Sequence, residues 1–108
     1  MFRRLSETVL VADRQLHPGD IAAAAAAGVT VIVNNRPDGE EPGQPAGAEI
    51  ERAALAAGLR YRHIPVAGAI TPDQVAAMAA AMEEGKLLAF CRTGTRSTLL
   101  WAVAARAS

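Results

Sequence analysis

The chain has 108 residues, eleven Lys and Arg against eleven Asp and Glu, and an apolar content of 51%. That length suits one domain, residues 1–108, and not two, and the balanced charge argues against a nucleic-acid or polybasic membrane surface. Cys91 stands alone, which excludes an internal disulfide or zinc cluster; with only His17 and His63 besides, neither a metal nor a cofactor is expected.

Val9 to Ala12 is a short apolar strand preceded by polar Ser6, Glu7 and Thr8. Arg3 and Arg4 come before it, but the stretch is too short for a signal-peptide core, so the default expectation is a cytoplasmic protein. Pro18 suits the first turn of a helix and Asp20 its positive end. Ala22 to Ala27 continue that helix, and Gly28 is its expected stop. Val29 to Val33 reads as a buried strand rich in β-branched residues. The longest apolar run, Ile21 to Val33, is too short to span a bilayer. Asn34 to Pro45, "NNRPDGEEPGQP", is a loop with three prolines and two glycines. Ala46 to Ala57 is a second helix closed by Gly58, and Arg60 to Ile64 a third strand. After a loop over Pro65 to Ile70, Thr71 caps a third helix with Pro72 at its first position. Val75, Met78, Ala79 and Met82 form its core stripe, and Gly85 ends it. Leu87 to Phe90 is a fourth strand and Ser97 to Ala105 a last helix.

Alternating strands and helices predict an α/β domain, a mostly parallel sheet of four to five strands flanked by helices. In such a sheet the loops that follow the strands gather at one edge, where ligands bind. The loops after Val33, Ile64 and Phe90 would share it.

"FCRTGTRST" fills the last of those loops. Cys91 follows a buried strand and sits beside a helix N-terminus, where unpaired N–H groups carry partial positive charge. Gly94 permits a tight turn that aims successive N–H groups at one centre. Arg92 and Arg96 add permanent charge, and Arg96 is placed to grip two oxygens of a tetrahedral anion. Ser97 can hydrogen-bond the thiolate or cap the helix. Thr93 and Thr95 read as lip residues that contribute through their backbone N–H groups. Such surroundings lower a cysteine pKa to roughly 3.5–7.5 and make an activated nucleophile. The bland alternative is an inert buried cysteine beside a cap.

"CRTGTRS" resembles the active-site loop of rhodaneses, whose cysteine carries a persulfide, and the phosphate loop of cysteine-dependent phosphatases. "VADRQL", "DIAAAAAAGVTVIVNNRPDGEEPGQP", "YRHIPVAGAITPDQV" and "LLAFCRTGTRSTLLW" extend the likeness. Over about residues 5 to 105 they resemble one bacterial family, the beta-lactamase hydrolase-like proteins. The resemblance implies a cysteine-dependent phosphatase-like fold, frequently described as a sulfur transferase. It occurs alone or ahead of metallo-β-lactamase-like hydrolase domains, which implies a sulfur-oxidising enzyme of that type as a partner.

Spacing then separates sulfur from phosphorus. Four residues stand between Cys91 and Arg96. Tyrosine-type phosphatases have one more, and the residue at that position here is Ser97. Their histidine before the cysteine is replaced by Phe90. Where small dual-specificity phosphatases carry an acidic residue after a stretch like "YRHIPV", Ala67 and Gly68 stand. A general acid is worth roughly 10²–10⁴-fold to an ester with a poor leaving group, whereas sulfite and thiolates leave as stable anions. Asp73 reads as a first-turn helix residue and His63 as a satisfied core or edge histidine. Arg36 and Asp38 reach the cysteine loop from the side or else form internal turn contacts; of the two, Arg36 is the better candidate for a substrate contact.

The sequence therefore leads to a sulfurtransferase. Cys91 takes a sulfane sulfur from thiosulfate or a low-molecular-weight persulfide, and Arg96 with residues 92–97 binds the small sulfur-containing anion. The alternative is a tyrosine or dual-specificity-type phosphatase working through a phosphocysteine. A third reading is a non-catalytic module that holds a persulfide or anion for a partner enzyme.

Overall fold

The computed structural model describes residues 1–107. Its elements in chain order are β1 (Phe2–Arg4), β2 (Val9–Ala12), α1 (Ile21–Ala26), β3 (Val31–Asn34), α2 (Gly47–Ala56), β4 (Arg60–His63), α3 (Pro72–Met82), β5 (Leu87–Phe90) and α4 (Thr95–Ala107). The sheet has five strands in the order β1-β2-β5-β3-β4. β1 runs antiparallel to β2, and the other pairings are parallel. The expected mostly parallel α/β sheet is therefore present, in its five-stranded form.

β5 is last in sequence yet lies between β2 and β3. Leu88 sits opposite Leu10 on one side and Ile32 on the other. All four residues of β3 and all four of β5 are buried, as expected for strands covered on both faces. The strand period of two then divides the core. Ile32, Leu88 and Phe90 pack with Ile21 and Ala24 of α1 and Ile50 and Ala54 of α2. Val31, Val33, Leu87 and Ala89 pack on the opposite face with Met78 and Ala81 of α3 and Leu100 and Ala104 of α4. Met78 of the predicted stripe is fully buried; Val75, Ala79 and Met82 pack at the margin of that cluster.

Most boundaries shift by one or two residues, β3 for example starting at Val31 rather than Val29, and three differences stand out. β1 was not expected, because only Phe2 of its three residues is apolar; as an edge strand it needs one neighbour and no buried face. Pro18–Asp20 forms a 3₁₀ turn before α1, with Asp20 Oδ2 accepting the His17 N–H at 2.8 Å. α4 starts at Thr95, two residues earlier than expected, so Arg96 stands in its first turn. The start of α3 is as expected. Thr71 Oγ1 accepts from Gln74 N at 3.2 Å, and Gln74 Oε1 accepts from Thr71 N at 3.0 Å, a reciprocal cap.

Asn35 locks the loop edge of the sheet. Its N–H donates to Phe90 O at 2.8 Å, its carbonyl accepts Val66 N at 2.9 Å, and its Nδ2 donates to Ile64 O at 3.0 Å. The ends of β3, β4 and β5 thus converge on one buried amide, beside the cysteine loop. Among the described residues, no helix is long and apolar enough to cross a membrane.

The central strand should dominate stability. Leu88 is fully buried and Leu55 is 59% exposed. Leu88→Ala is expected to cost about 2–5 kcal/mol in urea unfolding, and Leu55→Ala to stay within about 0.5 kcal/mol of the parent.

Candidate active site

Cys91 is the first residue after β5 and is only 1% exposed. The backbone from Cys91 to Gly94 curls around its own sulfur, and Gly94 N donates to Sγ at 3.2 Å. Gly94 makes the curl possible. Its φ is +93°, and a Cβ there would stand 2.8 Å from Ala12 O at the end of β2. Thr98 closes the turn from the helix side, with its N–H and its hydroxyl both donating to Gly94 O at 2.9 and 2.8 Å.

Burial pushes the Cys91 thiol up. The backbone N–H groups of Ser97 and Thr93, the Ser97 hydroxyl and the Gly94 N–H outweigh it, and the net shift is below the ordinary cysteine value. The anionic form of the sulfur is therefore favoured mainly by oriented backbone donors at the start of α4. Ser97 is fully buried, and its one hydroxyl proton is shared between the sulfur and Asn35 Oδ1, which accepts it at 2.8 Å.

Arg96 lies at the rim. Its Nη1 donates to Glu40 Oε2 at 2.7 Å and to Val66 O at 2.9 Å, and its Nη2 donates to Glu40 Oε1 at 2.9 Å. Glu40 is shared with Arg36, whose Nε donates to Oε1 at 2.8 Å. Arg36 is 1% exposed; its Nη1 donates to Gln15 Oε1 and its Nη2 to Glu41 Oε1, each at 3.0 Å. The hydrogen bonds from Arg96, against some burial and with help from Arg36, hold the Glu40 carboxyl down at about 2. Glu40 in turn raises the Arg96 guanidinium, to which the Cys91 charge also contributes. Among the described residues, no group of three or more His, Cys, Asp or Glu is arranged to hold a metal.

A buried cysteine sulfur in a ring of N–H groups, with an arginine at the following helix start, is an anion-binding layout. Residues 1–108 match the family described as "Beta-lactamase hydrolase-like protein, phosphatase-like domain". The chain belongs to this family. A beta-lactamase hydrolase-like protein of Agrobacterium fabrum is 40% identical over 101 residues, which cover 91% of this chain and 23% of the relative. One from Xylella fastidiosa is 44% identical over 79 residues, or 70% of this chain and 18% of the relative. The chain thus spans less than a quarter of the curated relatives it matches. A Neisseria meningitidis structure described as a "putative phosphatase" superimposes with a TM-score of 0.81 at 35% identity, covering 91% of this chain and 71% of that one. The Pseudomonas aeruginosa TpbA C132S variant, in complex with pTyr, superimposes with a TM-score of 0.65 at 19% identity, covering 92% of this chain and 58% of that one. The last likeness bears on the fold alone.

The phosphatase-like domain brings Cys91, Gly94, Arg96 and Ser97 together as one cradle. Thr93 and Thr95 are exposed at its lip, with their hydroxyls 3.1 Å apart. Arg92 departs from its expected place among the anion-binding groups. Its side chain is 66% exposed and its Nη2 lies 4.0 Å from Glu41. Arg36 and Asp38 form the internal contacts rather than reaching toward substrate. The three guanidinium nitrogens of Arg36 are bonded within the fold, and Asp38 Oδ1 accepts Gly47 N at 2.8 Å, at the first turn of α2. His63 Nε2 is 3.0 Å from the Arg36 carbonyl, to which it donates.

Glu40, Glu41, Gln15 and Asn35 were not read as site residues. The signal for Glu40 was its spacing of four from Arg36 inside a loop of fixed shape. Only the fold shows that the same carboxylate also meets Arg96.

The thiolate assignment predicts an alkylation midpoint for Cys91 below the ordinary value of about 8.5, measured as iodoacetamide rate against pH. Gly94→Ala, which crowds Ala12 O and breaks the curl, should move that midpoint up. The Glu40 ion pairs predict a second pH effect. Because its folded pKa is depressed from 4.5 to about 2, its contribution to stability is complete above 4.5 and is lost as pH falls through about 2. The difference in urea midpoint between the parent and Glu40→Gln should hold steady above about pH 5 and shrink below it.

Proposed function

We propose that the chain is a cysteine-dependent phosphomonoesterase that favours esters with good leaving groups, aryl phosphates above alkyl phosphates. The observation that carries this reading is the Cys91 sulfur in its ring of N–H donors beside Arg96. Likeness to a "putative phosphatase" at 35% identity supports it.

The chemistry follows from those groups. Cys91 Sγ attacks phosphorus in line with the ester oxygen. The S–P bond forms as the P–O bond breaks, and the leaving oxygen takes the bonding electron pair and departs as the phenoxide anion, which water then protonates. The backbone donors of residues 92–97 and the Arg96 guanidinium bind the phosphoryl oxygens as charge spreads over them. Water then attacks the phosphocysteine, inorganic phosphate leaves, and the thiolate returns to its donors. Ser97 aids that return, because its hydroxyl favours the anionic sulfur.

Leaving-group preference follows from the carboxylates. Glu40 is held ionised by two arginines and has no proton to give near neutral pH. Asp38 is engaged at the start of α2. A phenol-type leaving group departs without an acid, and a serine-type one needs it.

The same observation favours a second reading, sulfur transfer. It needs no acid, and the interval of four residues between Cys91 and Arg96 makes a small ring. In that reaction Cys91 Sγ attacks the outer sulfur of thiosulfate, the S–S bond breaks with sulfite as leaving group, and an acceptor thiol or a metallo-β-lactamase-like sulfur-oxidising partner removes the persulfide sulfur.

One set of measurements separates them. The first reading expects turnover of phosphotyrosine or another aryl phosphate, slow turnover of phosphoserine, and a phosphorylated Cys91 in acid-quenched intact-mass spectra. Arg96→Ala should lower kcat/KM by about 10²-fold or more, Arg92→Ala by less than about tenfold, and Cys91→Ser should abolish turnover. A gain of one sulfur from thiosulfate, erased by a reducing thiol and with no aryl phosphatase activity, would replace it by the second.

A further inference from the structure

The five N–H donors of the Arg96 guanidinium are spent unevenly. Nη1 uses both of its own, on Glu40 Oε2 at 2.7 Å and Val66 O at 2.9 Å. Nη2 uses one, on Glu40 Oε1 at 2.9 Å. The carboxylate therefore holds the guanidinium end-on, through its two terminal nitrogens. What remains is the Nε–H and the second N–H of Nη2. Those two lie side by side along one edge of the planar group, a fork that suits two oxygens of a tetrahedral oxyanion. Cys91 also interacts with Arg96. Nη1 has no N–H left to offer, so that edge is the one free to serve an anion beside the sulfur.

The carboxylate is itself held from behind. Buried Arg36 donates its Nε to Glu40 Oε1 at 2.8 Å. Gln44 braces the loop, with its Oε1 accepting Glu40 N at 3.0 Å and its Nε2 donating to Pro37 O at 2.9 Å. Glu40 thus links a guanidinium fixed in the fold to one at the rim.

We propose that Glu40 is a positioning residue, which fixes Arg96 end-on so that the Nε and Nη2 edge faces the oxyanion above Cys91. The proposal rests on the reading of residues 91–97 as an anion cradle but not on which group is transferred. The rival role for Glu40 is a built-in competitor that occupies the anion's place. The donors it takes argue against that, since it leaves the side fork open.

Two effects oppose each other in Glu40→Gln. Loss of a negative charge favours anion binding, and loss of the two-point grip on Arg96 disfavours it. Positioning requires the second to win. The test uses inorganic phosphate to protect Cys91 from iodoacetamide, so it reads anion binding without any hydrolysis. In Glu40→Gln the phosphate concentration for half-protection should rise by roughly tenfold, the scale of one charge-assisted hydrogen bond. The pH midpoint of Cys91 alkylation should not rise, because the thiolate stands on the donors of Ser97, Thr93 and Gly94. Glu41→Gln removes an equal charge from the same loop without touching Arg96, and should not weaken protection to that extent.

Unchanged or tighter phosphate binding in Glu40→Gln would overturn the proposal and make Glu40 a competitor. A raised Cys91 midpoint together with weaker binding would also overturn it, since the cradle itself would then depend on Glu40. So would an equal loss in Glu41→Gln. If the parent is protected as expected but hydrolyses no aryl phosphate, the phosphatase reading fails while Glu40's role stands.

Discussion

Arg36 is the largest fully buried side chain among the described residues, and its guanidinium decides much of what surrounds Cys91. A cation out of water costs several kcal/mol unless it is paired and its donors are satisfied. Here the partners are Glu40, Glu41 and Gln15. They oblige the Pro- and Gly-rich loop after β3 to fold back over the end of the sheet, with Asp38 at the start of α2. Two carboxylates are thereby brought beside the cysteine loop, and one of them reaches Arg96. The side chain that looked most like a substrate ligand in that loop is instead its anchor.

Charge is distributed around Cys91 in a corresponding way. Arg92 and Arg96 both have carboxylate neighbours, Glu41 and Glu40. The thiolate therefore relies less on free positive charge than the sequence suggested, and more on the N–H groups that the Gly94 curl and the start of α4 point at it. Backbone donors cannot move away or be screened as mobile side chains can. The ring of N–H groups is arranged in advance, and the arginine at its rim is already held.

The fold and the placing of Cys91 between a buried strand and a helix start were legible because each rests on local rules. Gly28, Gly58 and Gly85 punctuate alternating helices and β-branched strands, and the Thr71-Pro72 start of α3 is a local cap. Cys91 in "CRTGTRS" follows an apolar strand, and its place beside a helix start is readable without any distant contact. β1 was not legible, since "FRR" has no pattern and its strand state comes from pairing with Leu10, Val11 and Ala12. The early start of α4 was hidden as well, because Thr98 fastens its first turn to the Gly94 carbonyl.

The sequence by itself determined that this is a mostly parallel α/β domain with one cysteine beside a helix start. Periodicity, helix stops and a seven-residue loop are short-range properties that a chain carries before it folds. Tertiary structure alone decided which charged groups meet that cysteine. Arg36 and Glu40 lie in one loop and Arg96 at the start of α4, and Arg96 contacts Glu40 at a sequence separation of 56. Their partnership exists only because β5 inserts between β2 and β3 and puts the loops after β3 and β5 side by side. A buried guanidinium must find its carboxylates wherever the sheet delivers them, and no local pattern records that meeting.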